Sequence, residues 1–138
     1  MAVYNKFDQF AQSVLEAKHN FASDVFKVML TNTAPVAGNS VKSDLVEILE
    51  GNGYASGGND VTITVSSVAG LARVSSVNTV FTATGGTIGP FRYAVFYNST
   101  AVTQPLVSWW DYGSSVTLQD TEIFTVGFDA VNGILDIQ

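Results

Sequence analysis

The stretch 88–113 constrains the fold of this chain more than any other part of its sequence. It holds two apolar runs, 89–97 and 105–112, with the polar segment 98–104 between them. Bulky side chains fall on both faces of each run, as in strands that are covered on two sides. Two such runs around a short polar segment predict an antiparallel hairpin at the centre of the fold.

Further strand patterns follow one another along the chain, with turn signals between them. The run 61–65 alternates apolar and polar residues, which predicts a strand with one buried face. The run 71–84 changes phase near Ser75 and Ser76, which predicts a bulge or bend there. The remaining predicted strands are 25–31 and a final hairpin of 122–128 with 133–137.

The segment 5–19 has the pattern of an amphipathic helix. Phe7, Phe10 and Val14 recur at helical spacing, and polar residues occupy the other side. Asn5 is a suitable cap for the first turn. We therefore predict one N-terminal helix that packs on the outside of the strands.

Two segments between the first strands lack a strand pattern. In 43–49, a serine at the start and two nearby glutamates predict one or two helical turns. The glycine-rich segment 51–60 lacks the lysine and hydroxyl residue of a phosphate loop and the alternating acids of a calcium loop. We expect a sharply folded loop anchored by Tyr54, and no cofactor.

Together these patterns predict a single, mainly β domain spanning residues 1–138. Its architecture is an antiparallel β-sandwich at about 25–138, with the jelly roll as one topology that the pattern allows. The helix at about 5–19 is expected outside it. The expected buried residues are Val28, Leu30, Ile63, Val65, Phe81, Tyr93, Val95, Phe96, Trp109, Phe124, Val126 and Phe128.

Composition narrows the classes of function. Hydrophobic residues make up 46% of the chain and charged residues only 13%, against about 25% in a typical soluble domain. The net charge is -6 and no basic cluster occurs, so we expect no nucleic-acid partner. No apolar run is long enough to span a membrane. The absence of cysteine and of a leader pattern is compatible with synthesis in the cytoplasm.

No catalytic or metal-binding constellation stands out. The one histidine, His19, falls at the end of the predicted helix, and it cannot make a usual zinc site or a nucleophilic triad alone. Asp111 lies beside Trp109, Trp110 and Tyr112, aromatic residues of a kind that can stack on sugar rings. Adjacent tryptophans on a strand point to opposite faces, so they cannot both line one cleft. We predict no catalytic, cofactor-binding or metal-ligating residue.

Four segments stand out as a set of packing and turn motifs. They are Lys-Val-Met-Leu-Thr-Asn-Thr-Ala-Pro at 27–35, Gly-Asn-Gly-Tyr with Gly-Gly at 51–58, Gly-Pro-Phe-Arg-Tyr-Ala-Val at 89–95, and Trp-Asp-Tyr-Gly at 110–113. As a set they resemble a family of small virion proteins of tailed bacteriophages. The resemblance spans nearly the whole chain, and its motifs name no activity.

The resemblance implies a virion component made in the cytoplasm of a bacterial host. The preferred role is a capsid decoration (cement) protein on the capsid surface, with the major capsid protein as its partner. The alternative is a tail or fibre module that binds a receptor or glycan.

Low charge, many aromatic residues and an apolar helix stripe predict more apolar surface than a monomer usually shows. We therefore expect a homodimer or homotrimer. The interface candidates are Phe7, Phe10, Val14, Trp109, Trp110 and Tyr112.

Overall fold

The computed structural model describes residues 2–129 and 131–138, so that Met1 and Ala130, which the single-domain prediction includes, lie outside the described residues. The described part is a β-sandwich with one α-helix near its N-terminus. In chain order the elements are β1 (Val3–Lys6), α1 (Gln9–Leu15), β2 (Phe26–Thr31), a 3-10 turn (Lys42–Asp44), β3 (Asn59–Val61), β4 (Ile63–Val68), β5 (Leu71–Ser76), β6 (Thr79–Thr82), β7 (Ile88–Asn98), β8 (Leu106–Leu118), β9 (Ile123–Val126) and β10 (Leu135–Ile137).

The strands form one large sheet and two smaller ones. The large sheet has the order β1-β8-β7-β2-β3, and the smaller sheets have the orders β10-β5-β4 and β6-β9. Every strand pair is antiparallel. The predicted antiparallel β-sandwich with one N-terminal helix is therefore confirmed.

The central hairpin is also confirmed, as β7 paired with β8. Val95 lies opposite Trp109 and Ala94 lies opposite Trp110. In the connecting segment the buried side chain of Asn98 accepts hydrogen bonds from the backbone N–H groups of residues 100 and 101. Its amide group donates to Asp24 at 2.7 Å, which fixes the hairpin loop against the chain after α1.

Both faces of the large sheet are covered, as the apolar runs of the central hairpin predict. The main core lies between the large and small sheets, and a second, smaller cluster covers the opposite face of the large sheet. The main core includes Phe26, Val28, Leu30, Phe81, Phe91, Phe96, Val107, Trp110, Val126 and Phe128. The second cluster consists of Phe7, Met29, Leu45, Tyr93, Val95, Tyr97, Leu106 and Trp109.

The helix prediction is correct in place and wrong in extent. Residues 3–6 form the edge strand β1, where Val3 and Tyr4 favour extended backbone and pair with β8. The helix occupies only Gln9–Leu15, so Asn5 does not cap it. It ends early because Ala17 adopts a left-handed conformation, with a φ of 58°.

The strand at 61–65 differs from its prediction. Val65 is 48% exposed and Ile63 is only partly buried, because β4 is an edge strand that packs mainly along β5. Phe124 is also only partly buried, between Phe91 and Tyr112. Nine of the twelve residues expected to be buried are so, namely Val28, Leu30, Phe81, Tyr93, Val95, Phe96, Trp109, Val126 and Phe128.

The predicted final hairpin is wrong. The turn forms, with a bridge between Asp129 and Gly133, but β9 pairs with β6 and β10 pairs with β5. The two strands enter different sheets, so the turn crosses between layers. The predicted bend near Ser75 and Ser76 has the same cause, because β5 and β6 also lie in different sheets.

The segment 43–49 forms less helix than predicted. Only the 3-10 turn Lys42–Asp44 is helical, and Leu45 is extended. The Asp44 carboxylate accepts hydrogen bonds from the backbone N–H groups of Ser40 and Val41, which closes the turn. The loop after it is sharply folded around Tyr54, which is 2% exposed, as predicted.

Candidate interaction surface

A groove lies between two sheet edges of the described residues. Three adjoining depressions, of about 210, 250 and 280 Å³, lie between β1 of the large sheet and β10 of the small sheet. We call this feature the β1–β10 groove. Its lining includes Tyr4, Lys6, Phe10, Val14, Leu15, Trp110, Phe128, Ile134, Leu135 and Ile137.

The groove exists because, among the strands that the structure describes, none lies beside the outer edge of either bordering strand. β1 is one of the two outer strands of the large sheet, and β10 is one of the two outer strands of the three-stranded sheet. A sheet edge presents backbone N–H and C=O groups that can pair with another chain. Aliphatic side chains line the groove beside these edges. They are open to solvent, with Leu15 88% exposed and Ile137 51% exposed. The geometry therefore suits contact with protein.

Two carboxylates beside the groove, those of Asp129 and Asp136, are engaged within the chain. Asp136 forms an ion pair with Arg73, at 3.2 Å. The Asp129 carboxylate accepts hydrogen bonds from the backbone N–H groups of Val131 and Asn132, both at 2.8 Å. These bonds and the Asn132 side chain hold the pKa of Asp129 below its usual value. Asp129 thus stabilises a turn as an ionised acceptor and has no features of a general acid.

The six interface candidates from the sequence divide into two groups. Phe7, Phe10, Trp109 and Trp110 are buried by the packing of the chain itself, so little of their surface is free for a partner. Val14 and Tyr112 are only partly buried. Val14 lines the β1–β10 groove, and Phe10 and Trp110 contribute to its floor. Trp109 and Phe7 pack together on the other face of the large sheet, with ring centroids 4.5 Å apart.

The tryptophan pair occupies opposite faces of β8, as predicted. Trp109 belongs to the smaller cluster and Trp110 to the main core, and their exposed fractions are 8% and 7%. The neighbouring Asp111 carboxylate accepts two hydrogen bonds from the Arg92 guanidinium, at 2.8 and 3.0 Å. Arg92 is the main reason why the pKa of Asp111 is lowered. This acid is held by a structural ion pair, and the two tryptophans that precede it in the sequence are both buried.

His19 lies inside an aromatic cluster and not at a helix end. Its ring is 5.4–5.9 Å, between centroids, from those of Phe10, Phe21 and Phe26. The helix stops at Leu15, and the following turn brings the imidazole inward. Burial lowers the pKa of His19 to about 4, so the ring is neutral at pH 7. Such a group packs as an aromatic residue.

A largely buried polar network connects the glycine-rich loop to β2. The Tyr54 hydroxyl accepts a hydrogen bond from the Leu30 N–H at 3.0 Å and donates to Glu47 at 2.6 Å. Glu47 also accepts from the Gly57 N–H and pairs with Lys42. Burial is the main cause of the raised pKa of Tyr54. The sequence indicated Tyr54 as the anchor of the loop but not Glu47, which the helical prediction for 43–49 placed elsewhere.

In residues 2–129 and 131–138, no group of three carboxylate, histidine or cysteine side chains is placed to hold a metal ion. No helix of that part of the chain is both long and apolar enough to cross a membrane. Comparisons with protein-family models, with curated proteins and with solved structures found no match.

Proposed function

We propose that this chain is a non-enzymatic structural component of a bacteriophage virion, and that it serves as a capsid decoration protein bound to the major capsid shell. The motifs at 27–35, 51–58, 89–95 and 110–113 motivate the virion assignment through their resemblance to small phage virion proteins. The preference for a decoration role comes from the surface of the domain.

The observation that carries this preference is the chemistry of the exposed apolar side chains. Among the described residues, the large hydrophobic side chains that are exposed are aliphatic, with Tyr4 as the aromatic exception. Leu15 and Leu49 are 88% and 92% exposed. Exposed aliphatic surface is favourable when a protein partner covers it. A sugar-binding module needs the opposite distribution, with aromatic faces outside.

The β1–β10 groove is the surface that we assign to the capsid shell. It combines the aliphatic side chains of Leu15 and Ile137 with two unpaired strand edges, so a partner can bury apolar area and add backbone hydrogen bonds. One such contact contributes only a modest free energy of binding. A shell offers many equivalent positions, so many bound copies together reinforce the shell. The net charge of -6 suits a position away from packaged DNA.

The alternative function, a tail or fibre module that binds glycans, has less support. It depends on a free tryptophan beside Asp111, whereas both tryptophans are buried and the Asp111 carboxylate is occupied by Arg92.

Co-sedimentation with capsid shells tests the proposal. Shells of the cognate major capsid protein are mixed with the purified chain and pelleted, and the bound fraction is measured over a concentration series. We expect saturable binding by the wild type. Leu15→Lys should weaken binding about tenfold or more, because burying a leucine side chain is worth about 1.5–3 kcal/mol. Val102→Lys is the matched control, since this fully exposed side chain lies in the β7–β8 loop.

The outcomes separate the two parts of the proposal. If the wild-type chain does not pellet with shells at any concentration, the decoration role is contradicted. If Leu15→Lys and Val102→Lys both bind as the wild type does, the decoration role stands and the assignment of the groove is wrong.

A further inference from the structure

The edge strand β4 is unprotected against pairing with another strand. It is the outermost strand of the order β10-β5-β4, and no charged residue or proline occurs in it or anywhere in 61–72. The other outer strands of the five-stranded and three-stranded sheets each carry a charge, namely Lys6 in β1, Asp60 in β3 and Asp136 in β10. Natural sheets usually block their edges with charges, prolines or bulges. β4 has none of these devices.

The hairpin turn determines which backbone groups of β4 are free. β4 and β5 are joined by Ala69 and Gly70, whose φ angles of 51° and 84° are both positive. A two-residue turn of this kind closes on a hydrogen-bonded pair, here Val68 with Leu71. Because such pairs alternate along an antiparallel ladder, the N–H and C=O groups of Ile63, Val65 and Ser67 point away from β5.

We propose that β4 pairs, antiparallel, with β4 of a second copy of this chain, with Val65 on the two-fold axis. Val65 then faces Val65 of the second copy, Ile63 faces Ser67, and Thr64 faces Ser66. All three outward-pointing residues exchange hydrogen bonds with the second copy in this register. The two three-stranded sheets become one sheet of six strands. This contact is separate from the β1–β10 groove and does not depend on the virion role.

Symmetry favours a second copy over another protein as the occupant, and no charged side chain of β4 opposes it at the contact itself. Two chains with a net charge of -6 repel each other, but β4 brings no charged side chain to the contact. The strand is also self-complementary, since one face places Val65 against itself and the other places hydroxyl groups opposite each other. Val65 is 48% exposed and Val68 is 75% exposed, so both remain open in the single chain.

A six-residue strand pair buries less than the roughly 1,600 Å² of a standard interface, so dimers are expected only at high concentration, on the order of 100 µM. Sedimentation velocity over a concentration series tests this. The wild type should show a monomer–dimer equilibrium. Val65→Lys should stay monomeric, because it places like charges opposite each other at the axis. Val80→Lys should dimerise as the wild type does, because Val80 is similarly exposed, at 45%, but lies in β6.

Disulfide trapping tests the register, and the chain has no cysteine of its own. In a hydrogen-bonded antiparallel pair the Cα atoms are about 5.5 Å apart, within the range that a disulfide bridges. Val65→Cys should therefore form a covalent dimer under mild oxidation. Val68→Cys is the control. Position 68 is more exposed than position 65, so random collisions between molecules would link Val68→Cys more readily. In the proposed register, however, the two copies of position 68 are roughly 20 Å apart and cannot form a disulfide.

A covalent dimer from Val65→Cys in clear excess over Val68→Cys supports the proposal. Equal trapping, or more trapping of Val68→Cys, would overturn it. The proposal would also be overturned if the wild-type protein stayed monomeric at millimolar concentration. If Val65→Cys links to a different protein in particles and never to itself, the edge belongs to that protein and the second copy is wrong.

Discussion

Replacing Tyr54 with phenylalanine removes one hydroxyl group from a site where the structure gives it two partners. The hydroxyl accepts from the Leu30 N–H, and Leu30 is fully buried. Leaving a buried N–H without an acceptor costs about 1–3 kcal/mol, and losing a hydrogen bond to a carboxylate costs about 1.5–3 kcal/mol. Glu47 keeps its contacts with the Gly57 N–H and with Lys42, so the second loss is partly compensated. We expect Tyr54→Phe to lower the free energy of unfolding by about 3 kcal/mol.

Urea denaturation followed by tryptophan fluorescence measures this change, and thermal unfolding should show a drop in Tm of roughly 10 °C. Tyr112→Phe is the matched control. Within the described residues the Tyr112 hydroxyl makes no hydrogen bond, although burial raises its pKa to about 12. We expect that variant to stay within about 0.5 kcal/mol of the wild type. If Tyr54→Phe also stays within that limit, the hydroxyl does not bridge β2 to the loop.

Two further predictions concern the packing around the core. As pH falls from 6.5 towards 4, His19 becomes protonated in the unfolded chain but stays neutral in the folded chain, where it is buried. The unfolded state is therefore stabilised relative to the folded state, and the wild type loses stability. Urea titrations at each pH measure this loss, which should reach up to about 3 kcal/mol of unfolding free energy in the wild type, at about 1.4 kcal/mol per pKa unit. The His19→Phe variant should not show it. If the free energy of unfolding depends on pH in the same way in both proteins, the burial argument is contradicted. Gly58→Ala should abolish folding by circular dichroism, because a Cβ there collides with a β2 carbonyl. Gly70→Ala has the same sign of φ but open space around it and should cost only about 1 kcal/mol.

The parts of the fold that the sequence predicted are those in which local pattern and tertiary packing agree. The central hairpin has apolar residues on both faces of each strand, and both faces are covered. Tyr54 stands among glycines that allow a tight loop, and it is the anchor of that loop. The antiparallel sandwich follows from many short strands separated by turn signals.

The failures occur where the pairing partner decides the structure. Alternation at 61–65 predicts one buried face, but an edge strand leaves Val65 open to solvent. The segments 122–128 and 133–137 look like a hairpin, and only the layer arrangement sends β9 and β10 to different sheets. Asn5 and Lys6 fall within the helix predicted at 5–19, yet they pair with β8 as part of strand β1.

The candidate surface was harder to predict than the fold. Phe7, Phe10, Trp109 and Trp110 are large and apolar, which is equally expected of core and of interface residues, and they are buried. The β1–β10 groove joins residues that are about 130 positions apart in the chain, from Tyr4 to Ile134. No local sequence pattern reports such a juxtaposition.

The most direct test of the central claim is the copy number of this protein in purified virions. Heads and tails are separated, and the chain is quantified against the major capsid protein by mass spectrometry with isotope-labelled standards. A capsid decoration protein should occur in hundreds of copies per particle and remain with the heads. A few to dozens of copies that remain with the tails would contradict the decoration role.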